Sequence, residues 1–110
     1  MTNKMFIALL VVVALGCTAL YAFAQKTTPK SGESLFAANC QVCHPGGGNI
    51  INPAKTLHQK DRHAHNVNTA DDIVKIMRNP GPGMTKFDEK AISDKDAHTI
   101  AAYVIKTFNK

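Results

Sequence analysis

The string Cys40-Gln41-Val42-Cys43-His44 constrains this chain more than any other part of its sequence. Cys-x-x-Cys-His is the attachment signature of c-type haem, in which the two thiols add to the vinyl groups of the porphyrin. On a helical turn, a spacing of three residues places both sulfurs on one side. The histidine that follows can then reach the iron. The motif predicts one covalent haem c, with Cys40 and Cys43 as thioether sites and His44 as the proximal iron ligand.

Other uses of two closely spaced cysteines fit less well. A thioredoxin-like redox pair belongs in a βαβ setting, which this sequence does not offer. A zinc site would need a second pair of ligands at close spacing, and the other four histidines do not provide one.

The N-terminus predicts export. Lys4 precedes an apolar run over residues 5–24, which ends in the small-x-small pattern Ala22-Phe23-Ala24. This layout is typical of a secretory signal peptide, here residues 1–24. Two alternatives stay open. The leader could be retained as a membrane anchor, because the run approaches the ~20 residues that span a bilayer. The protein could also be a lipoprotein that is acylated at Cys17. A retained leader would tether the protein to a membrane through residues 5–24. In each case the functional part lies outside the cytoplasm, and we expect it in the periplasm.

The remaining sequence divides into a flexible lead-in, residues 25–30, and one domain, residues 31–110. Beyond residue 24 the chain has 12 basic and 8 acidic side chains, a net charge of +4 with neutral histidines. The basic residues are scattered, and there is no aromatic platform for bases, so we expect no binding of nucleic acid. A monomer is the expected oligomeric state.

Helix signals recur along the domain. Ser31 can cap a helix that runs into Cys40, whereas the glycines and prolines of residues 45–53 predict a loop. Thr69 with Asp72 forms a capping box for a second helix, which must end near Asn79 because two prolines follow. Ser93 and Asp96 form a second predicted capping box, ahead of a final helix. No stretch alternates with period two. The predicted fold is all-α, with about four short helices wrapped around one haem and a hydrophobic leader helix before them.

The sixth iron ligand is predicted from the segment NPGPGMTKF, residues 79–87, which contains Met84. Prolines and glycines keep such a loop extended, as a backbone passing close to a flat macrocycle requires. A thioether opposite a histidine raises the reduction potential. Met77 is the competing methionine, although its position inside a helix favours a core role. A bis-histidine site using His58, His63 or His65 is a further alternative, but these residues lie in a polar stretch that indicates a solvated surface. For His98, we expect a partly exposed position on the final helix.

Three segments together resemble the cytochrome c6 / c553 family of class I cytochromes. They are LFAANCQVCHPGGGNIINPAKTL (residues 35–57), NPGPGMTKF, and ISDKDAHTIAAYV (residues 92–104). The resemblance implies Cys40 and Cys43 as thioether sites, His44 as proximal ligand and Met84 as distal ligand. It also implies a crossing of the first and last helices, with Gly32 and Phe36 near Tyr103. Three departures from the family pattern are Thr85 in place of a proline after the methionine, the PGP of the loop, and the histidine-rich stretch.

These features predict a single-electron carrier in an electron-transport chain rather than an enzyme, with redox proteins as its donors and acceptors. The alternatives are a haem enzyme or sensor with a displaceable sixth ligand, and an electron-entry subunit of a larger complex. The expected apolar residues around the haem and at the helix crossing are Leu35, Phe36, Ile50, Leu57, Ile73, Ile76, Phe87, Ile92, Ile100, Tyr103 and Val104.

Overall fold

Four α-helices form in residues 28–110, the part of the chain that the computed structural model describes. Helix α1 spans Gly32–Asn39, α2 spans Gln59–Ala64, α3 spans Ala70–Arg78 and α4 spans Asp94–Thr107. These residues contain no strand, so the predicted all-α class is confirmed. No helix among them has the length and apolar character that crossing a membrane requires. The predicted leader, its cleavage site and Cys17 lie outside the described residues.

Helix α1 delivers the first cysteine of the motif. The helix begins after Ser31, whose Oγ accepts a hydrogen bond from the Ser34 N–H at 3.1 Å. It ends at Cys40, whose own N–H donates to the Phe36 carbonyl at 2.8 Å. The predicted helix from Ser31 into Cys40 is therefore confirmed.

Side-chain caps also define the starts of the two longest helices. Helix α3 begins with the predicted capping box, in which Thr69 Oγ1 accepts from Asp72 N and the Asp72 carboxylate accepts from Thr69 N. The helix ends at Asn79, as the prolines after it require. At the start of α4, Ser93 Oγ accepts from Asp96 N at 3.2 Å.

Two local elements differ from the sequence expectation. The loop of residues 45–53 opens with a single 3-10 turn, Pro45–Gly47, which proline at its first position favours. Gly46 and Gly47 have φ values of 60° and 80°, which is why a longer helix does not form. Helix α2 was not predicted, because its sequence lacks an apolar face and Arg62 is its one buried residue.

The predicted crossing of α1 with α4 is confirmed. A Cβ atom on Gly32 would lie 2.6 Å from Tyr103 Cβ and 2.9 Å from the Thr99 carbonyl oxygen, so the two helices touch where glycine has no side chain. One turn later, the Phe36 ring lies 5.4 Å from the Tyr103 ring and 5.5 Å from the Phe108 ring, measured between centroids. Helix α4 also packs against α3. Helix α4 therefore contacts both α1, which precedes Cys40, and α3, which precedes the Met84 loop.

The core matches most of the predicted apolar set, with one correction, since Ile76 is 37% exposed. Ile50 lies in the loop after the 3-10 turn, outside this core, and is 60% exposed. A position of Ile50 beside the haem stays a prediction. On α3, the buried side is formed by Ile73, Val74 and Met77, which share a face at helical spacing that Ile76 does not reach. The buried apolar residues are Leu35, Phe36, Ile73, Val74, Met77, Ile92, Ala97, Ile100, Ala101, Val104 and Phe108; Leu57, Phe87 and Tyr103 are partly buried against them.

The helix crossing gives a testable prediction. Gly32→Ala forces a methyl group against Tyr103 and the α4 backbone, so we expect the free energy of unfolding to fall by about 1–3 kcal/mol. Ala37→Ser, at an exposed position of the same helix, is the control and should change the stability by less than about 0.5 kcal/mol. Denaturant titration of the haem-containing protein measures both. Equal stability of the two variants would contradict tight packing at the crossing.

His98 connects α3 to α4 on the exposed side of the pair. Its Nδ1 lies 2.8 Å from the Asp94 carbonyl oxygen, and its Nε2 lies 3.0 Å from Asp71 Oδ1. Both partners are acceptors, so only the imidazolium, with two N–H groups, satisfies both contacts. The Asp94 carbonyl and then the Asp71 carboxylate raise the pKa of His98 above its ordinary value. As expected, the side chain is partly exposed, at 50%.

This contact makes the stability depend on pH. Because the pKa of His98 is raised in the folded protein, its contribution is fully present below about pH 6.5, the unfolded value, and is lost as pH rises through the folded value. We expect the stability gap between the native protein and His98→Gln to shrink between about pH 5.5 and pH 8.5. Unfolding free energies at both pH values test this. A gap that stays constant would show that the imidazolium is not involved.

Candidate functional site

The Cys-x-x-Cys-His segment forms a tight turn directly after α1. The N–H groups of Cys43 and His44 both donate to the Cys40 carbonyl oxygen, at 3.1 and 2.9 Å. This winding carries the helical path past the end of α1, which is the geometry that the sequence argument assumed for the two sulfurs. Both cysteines have free, partly buried thiols. The structure therefore brings the two cysteines and the histidine together, as predicted.

Burial distinguishes the Cys40 thiol from the reactive thiol of a redox-active pair. Desolvation raises the pKa of Cys40 to about 11, so this thiol stays protonated at neutral pH. A disulfide-exchanging cysteine needs the thiolate and has a lowered pKa. Zinc is also unsupported, since the described residues contain no group of three or more His, Cys, Asp or Glu side chains able to hold a metal ion.

The ring of His44 is oriented by the glycine-rich loop. Its Nδ1 lies 2.8 Å from the Gly48 carbonyl oxygen. A carbonyl oxygen only accepts, so Nδ1 carries the proton, and Nε2 of the neutral ring is left free to bind a metal. Histidine ligands in metalloproteins are generally held by such a hydrogen bond from the other ring nitrogen. The contact therefore suits His44 to be an axial ligand.

The loop that orients His44 is itself supported by a buried arginine. The Leu57 N–H donates to the Gly47 carbonyl at 2.7 Å, and Arg62 Nε donates to the Leu57 carbonyl at 2.9 Å. Arg62 is only 5% exposed, although its polar neighbours had indicated a solvated surface. Burial lowers the pKa of its guanidinium, which nevertheless stays charged at neutral pH. Sequence reasoning missed Arg62, since nothing distinguishes it from the exposed residues beside it.

The Met84 loop lies next to the loop that follows the motif. Gly83 has a φ of 89°, and a Cβ atom there would lie 2.8 Å from Ile51 Cγ2. The residue before Ile51 donates its N–H to the Cys43 carbonyl at 3.1 Å. Met84 is half-buried and packs against the hydrophobic core. The structure therefore brings the loop that carries Met84 against the loop that follows the motif, although 40 residues separate Met84 from His44.

The competing ligands are placed elsewhere or used otherwise. Met77 is 3% exposed and belongs to the core, as expected. His63 and His65 are exposed, and His65 Nδ1 lies 2.8 Å from the Asp61 carbonyl oxygen. His58 packs edge-on to Phe108, with ring centroids 5.8 Å apart. His98 joins α3 to α4.

These residues fit a covalent haem. Two thiols one turn apart, an imidazole with its metal-binding nitrogen free and a half-buried thioether form a donor set of that chemistry. Ile50 and Ile51, each 60% exposed, add apolar surface beside the turn formed by residues 40–44, which we call the attachment turn. Exposed apolar side chains grouped in this way indicate contact with an apolar group.

Comparison with known proteins gives consistent matches. The family model described as cytochrome c oxidase, cbb3-type, subunit III matches residues 27–104. Cytochrome c6 of Synechocystis sp. is 42% identical over 79 residues, which cover 72% of this chain and 65% of that protein. Cytochrome c6 of Cyanidium caldarium is 33% identical over 109 residues, or 96% of this chain and 98% of that protein. The structure of OmcF, outer membrane cytochrome F of Geobacter sulfurreducens, superimposes with a TM-score of 0.69 at 45% identity, covering 71% of this chain and 99% of that one.

Proposed function

Because this chain belongs to the cytochrome c6-like class I c-type cytochromes, we propose that it carries single electrons through a haem ligated by His44 and Met84, outside the cytoplasm. The cofactor of the family is one covalently bound haem c, and its members are electron carriers rather than enzymes. The resemblance inferred from the sequence is thereby confirmed. The ligand set, the compartment and the partners are the proposal.

Four side chains have roles in this proposal. Cys40 and Cys43 would hold the haem as thioethers, and His44 Nε2 and the Met84 sulfur would bind its iron. When bound, haem iron supplies a reversible one-electron change between its ferric and ferrous states.

The observation that carries the proposal is the orientation of His44 by Gly48 together with the half-burial of Met84, whose neighbour Gly83 lies against Ile51. If both axial positions are filled by protein side chains, no position is open to a substrate. Such coordination suits outer-sphere electron transfer, whereas a haem enzyme or sensor needs a free or easily displaced sixth position. A neutral thioether opposite an imidazole also favours the ferrous state, because it adds no negative charge to the iron.

Export is supported by the predicted signal peptide, residues 1–24. It is also supported by the name of the Geobacter relative, outer membrane cytochrome F. Covalent haem attachment through thiols agrees with this placement. For its partners we propose redox proteins with acidic or mixed surfaces. The scattered basic residues would speed the encounter more than they strengthen binding.

Mass spectrometry tests the covalent attachment. We expect the exported protein to carry the added mass of one haem and to begin at Gln25. Cys40→Ala with Cys43→Ala should lose that mass, because no thioether can form. A single Cys43→Ala variant is the matched control and should keep one bond. If the exported chain lacked the added mass of one haem, the proposed function would be refuted.

Optical spectra and potentiometry test the ligand assignment. Met84→Ala should abolish the methionine-to-iron charge-transfer absorption of the ferric protein and permit binding of carbon monoxide to the ferrous form. We expect the reduction potential to fall by on the order of 0.1 V, within the range of ~0.8 V that axial ligands span. Met77→Leu, a substitution of similar volume in the core, should leave the spectrum unchanged. If Met77→Leu removed the absorption and Met84→Ala did not, the ligand would be Met77.

A further inference from the structure

Arg78, the last residue of α3, holds the base of the loop that carries Met84. The Nη1 atom of Arg78 donates to the carbonyl oxygens of Phe87 and Ile92, at 3.0 and 2.9 Å. Its Nη2 atom lies 2.7 Å from Asp94 Oδ1 at the start of α4. A single guanidinium therefore joins the end of one helix, two points on the returning loop and the start of the next helix.

The interior of the loop has little support of its own. Between residues 80 and 86 the backbone makes one hydrogen bond, from Met84 N to the Gly81 carbonyl, and its length is 3.5 Å. Pro80 and Pro82 have no N–H to donate. The next backbone contact is at the base, where Phe87 N donates to the Met77 carbonyl at 2.9 Å. Met84 lies three residues before Phe87, so its position depends on how the base is closed.

The three contacts of Arg78 differ in strength. The Arg78 side chain is 21% exposed and that of Asp94 is 63% exposed, and an ion pair so open to solvent contributes little. The contacts with the Phe87 and Ile92 carbonyls are partly buried. A charged donor makes such hydrogen bonds stronger than neutral ones. The carbonyl contacts should therefore dominate.

We propose that Arg78 is a positioning residue for Met84, and that its contacts with Phe87 and Ile92 set how readily the thioether leaves the iron. The inference rests on the proposed His44 and Met84 ligation. It assigns to Arg78 a role that neither the haem motif nor the methionine loop reveals in the sequence. The sixth position is then held by a contact outside the loop as well as by Met84 itself.

The test is displacement of the thioether from the ferric protein by added imidazole, followed through the charge-transfer absorption. Arg78→Gln keeps a side chain of similar shape but loses the charge and most of the donors. We expect it to need about tenfold less imidazole than the native protein, equivalent to about 1.4 kcal/mol in loop closure. Asp94→Asn, which leaves the carbonyl contacts in place, should change the midpoint less than about threefold.

Thr69→Ala separates positioning from stability. It removes the cap at the opposite end of α3 and so destabilises the same helix without touching the loop. We expect its imidazole midpoint to stay within about twofold of the native value. If Arg78→Gln does not fold, Arg78→Lys, which keeps the charge and fewer donors, should give a shift of about threefold.

Each result distinguishes a positioning role of Arg78 from a purely structural role. A shift in the Arg78 variants that Thr69→Ala does not share supports positioning. Equal shifts in the Arg78 and Thr69 variants, or none in either, overturn it, and Arg78 is then a structural residue only. If the native ferric protein lacks the thioether absorption, the proposed ligation fails and the inference fails with it. If the absorption is present and Arg78→Gln behaves as the native protein does, the inference alone fails.

Discussion

The close contact of α1 with α4 determines where the other elements of this small domain lie. At Gly32 a side chain would overlap Tyr103, so the two helices meet at one defined point. Because α1 ends at Cys40, this contact fixes where the attachment turn begins. The same helix α4 packs against α3, from whose end the Met84 loop departs. One helix thus supports both halves of the candidate site, whose predicted iron ligands are distant in sequence.

Beyond that crossing, short hydrogen-bonded links replace the extensive core that so small a domain cannot build. One link runs from Arg62 through Leu57 and Gly47 to the loop that orients His44. A second runs from Arg78 to the base of the Met84 loop. In both, an arginine holds backbone carbonyl oxygens rather than a carboxylate alone. The two proposed iron ligands, His44 and Met84, are therefore each supported by an arginine that reaches across loops lacking regular structure.

Much of the fold follows from local signals. Ser31, Thr69 and Ser93 mark helix starts because their side chains satisfy the free N–H groups of the first turn. The attachment turn follows from the cysteine spacing, and the crossing from the family resemblance. What the sequence does not reveal depends on tertiary packing. The polar helix α2 and the burial of Arg62 have no periodic signature. On α3, Val74 rather than Ile76 joins Ile73 and Met77 in the core, since the pattern alone leaves the exact direction of that face open. The link of Arg78 to two carbonyl oxygens is equally hidden.

Phe108 gives the fold an order of assembly. Its ring contacts Phe36, occupies the space where a side chain on Gly47 would lie, and its carbonyl oxygen accepts a hydrogen bond from Gln59 N. The attachment loop is thus completed by a residue far downstream of it. Because a chain is synthesised from its N-terminus, both cysteines are made well before the aromatic ring that closes over their loop. The loop can therefore reach its final packing only after the last residues of the domain have been made.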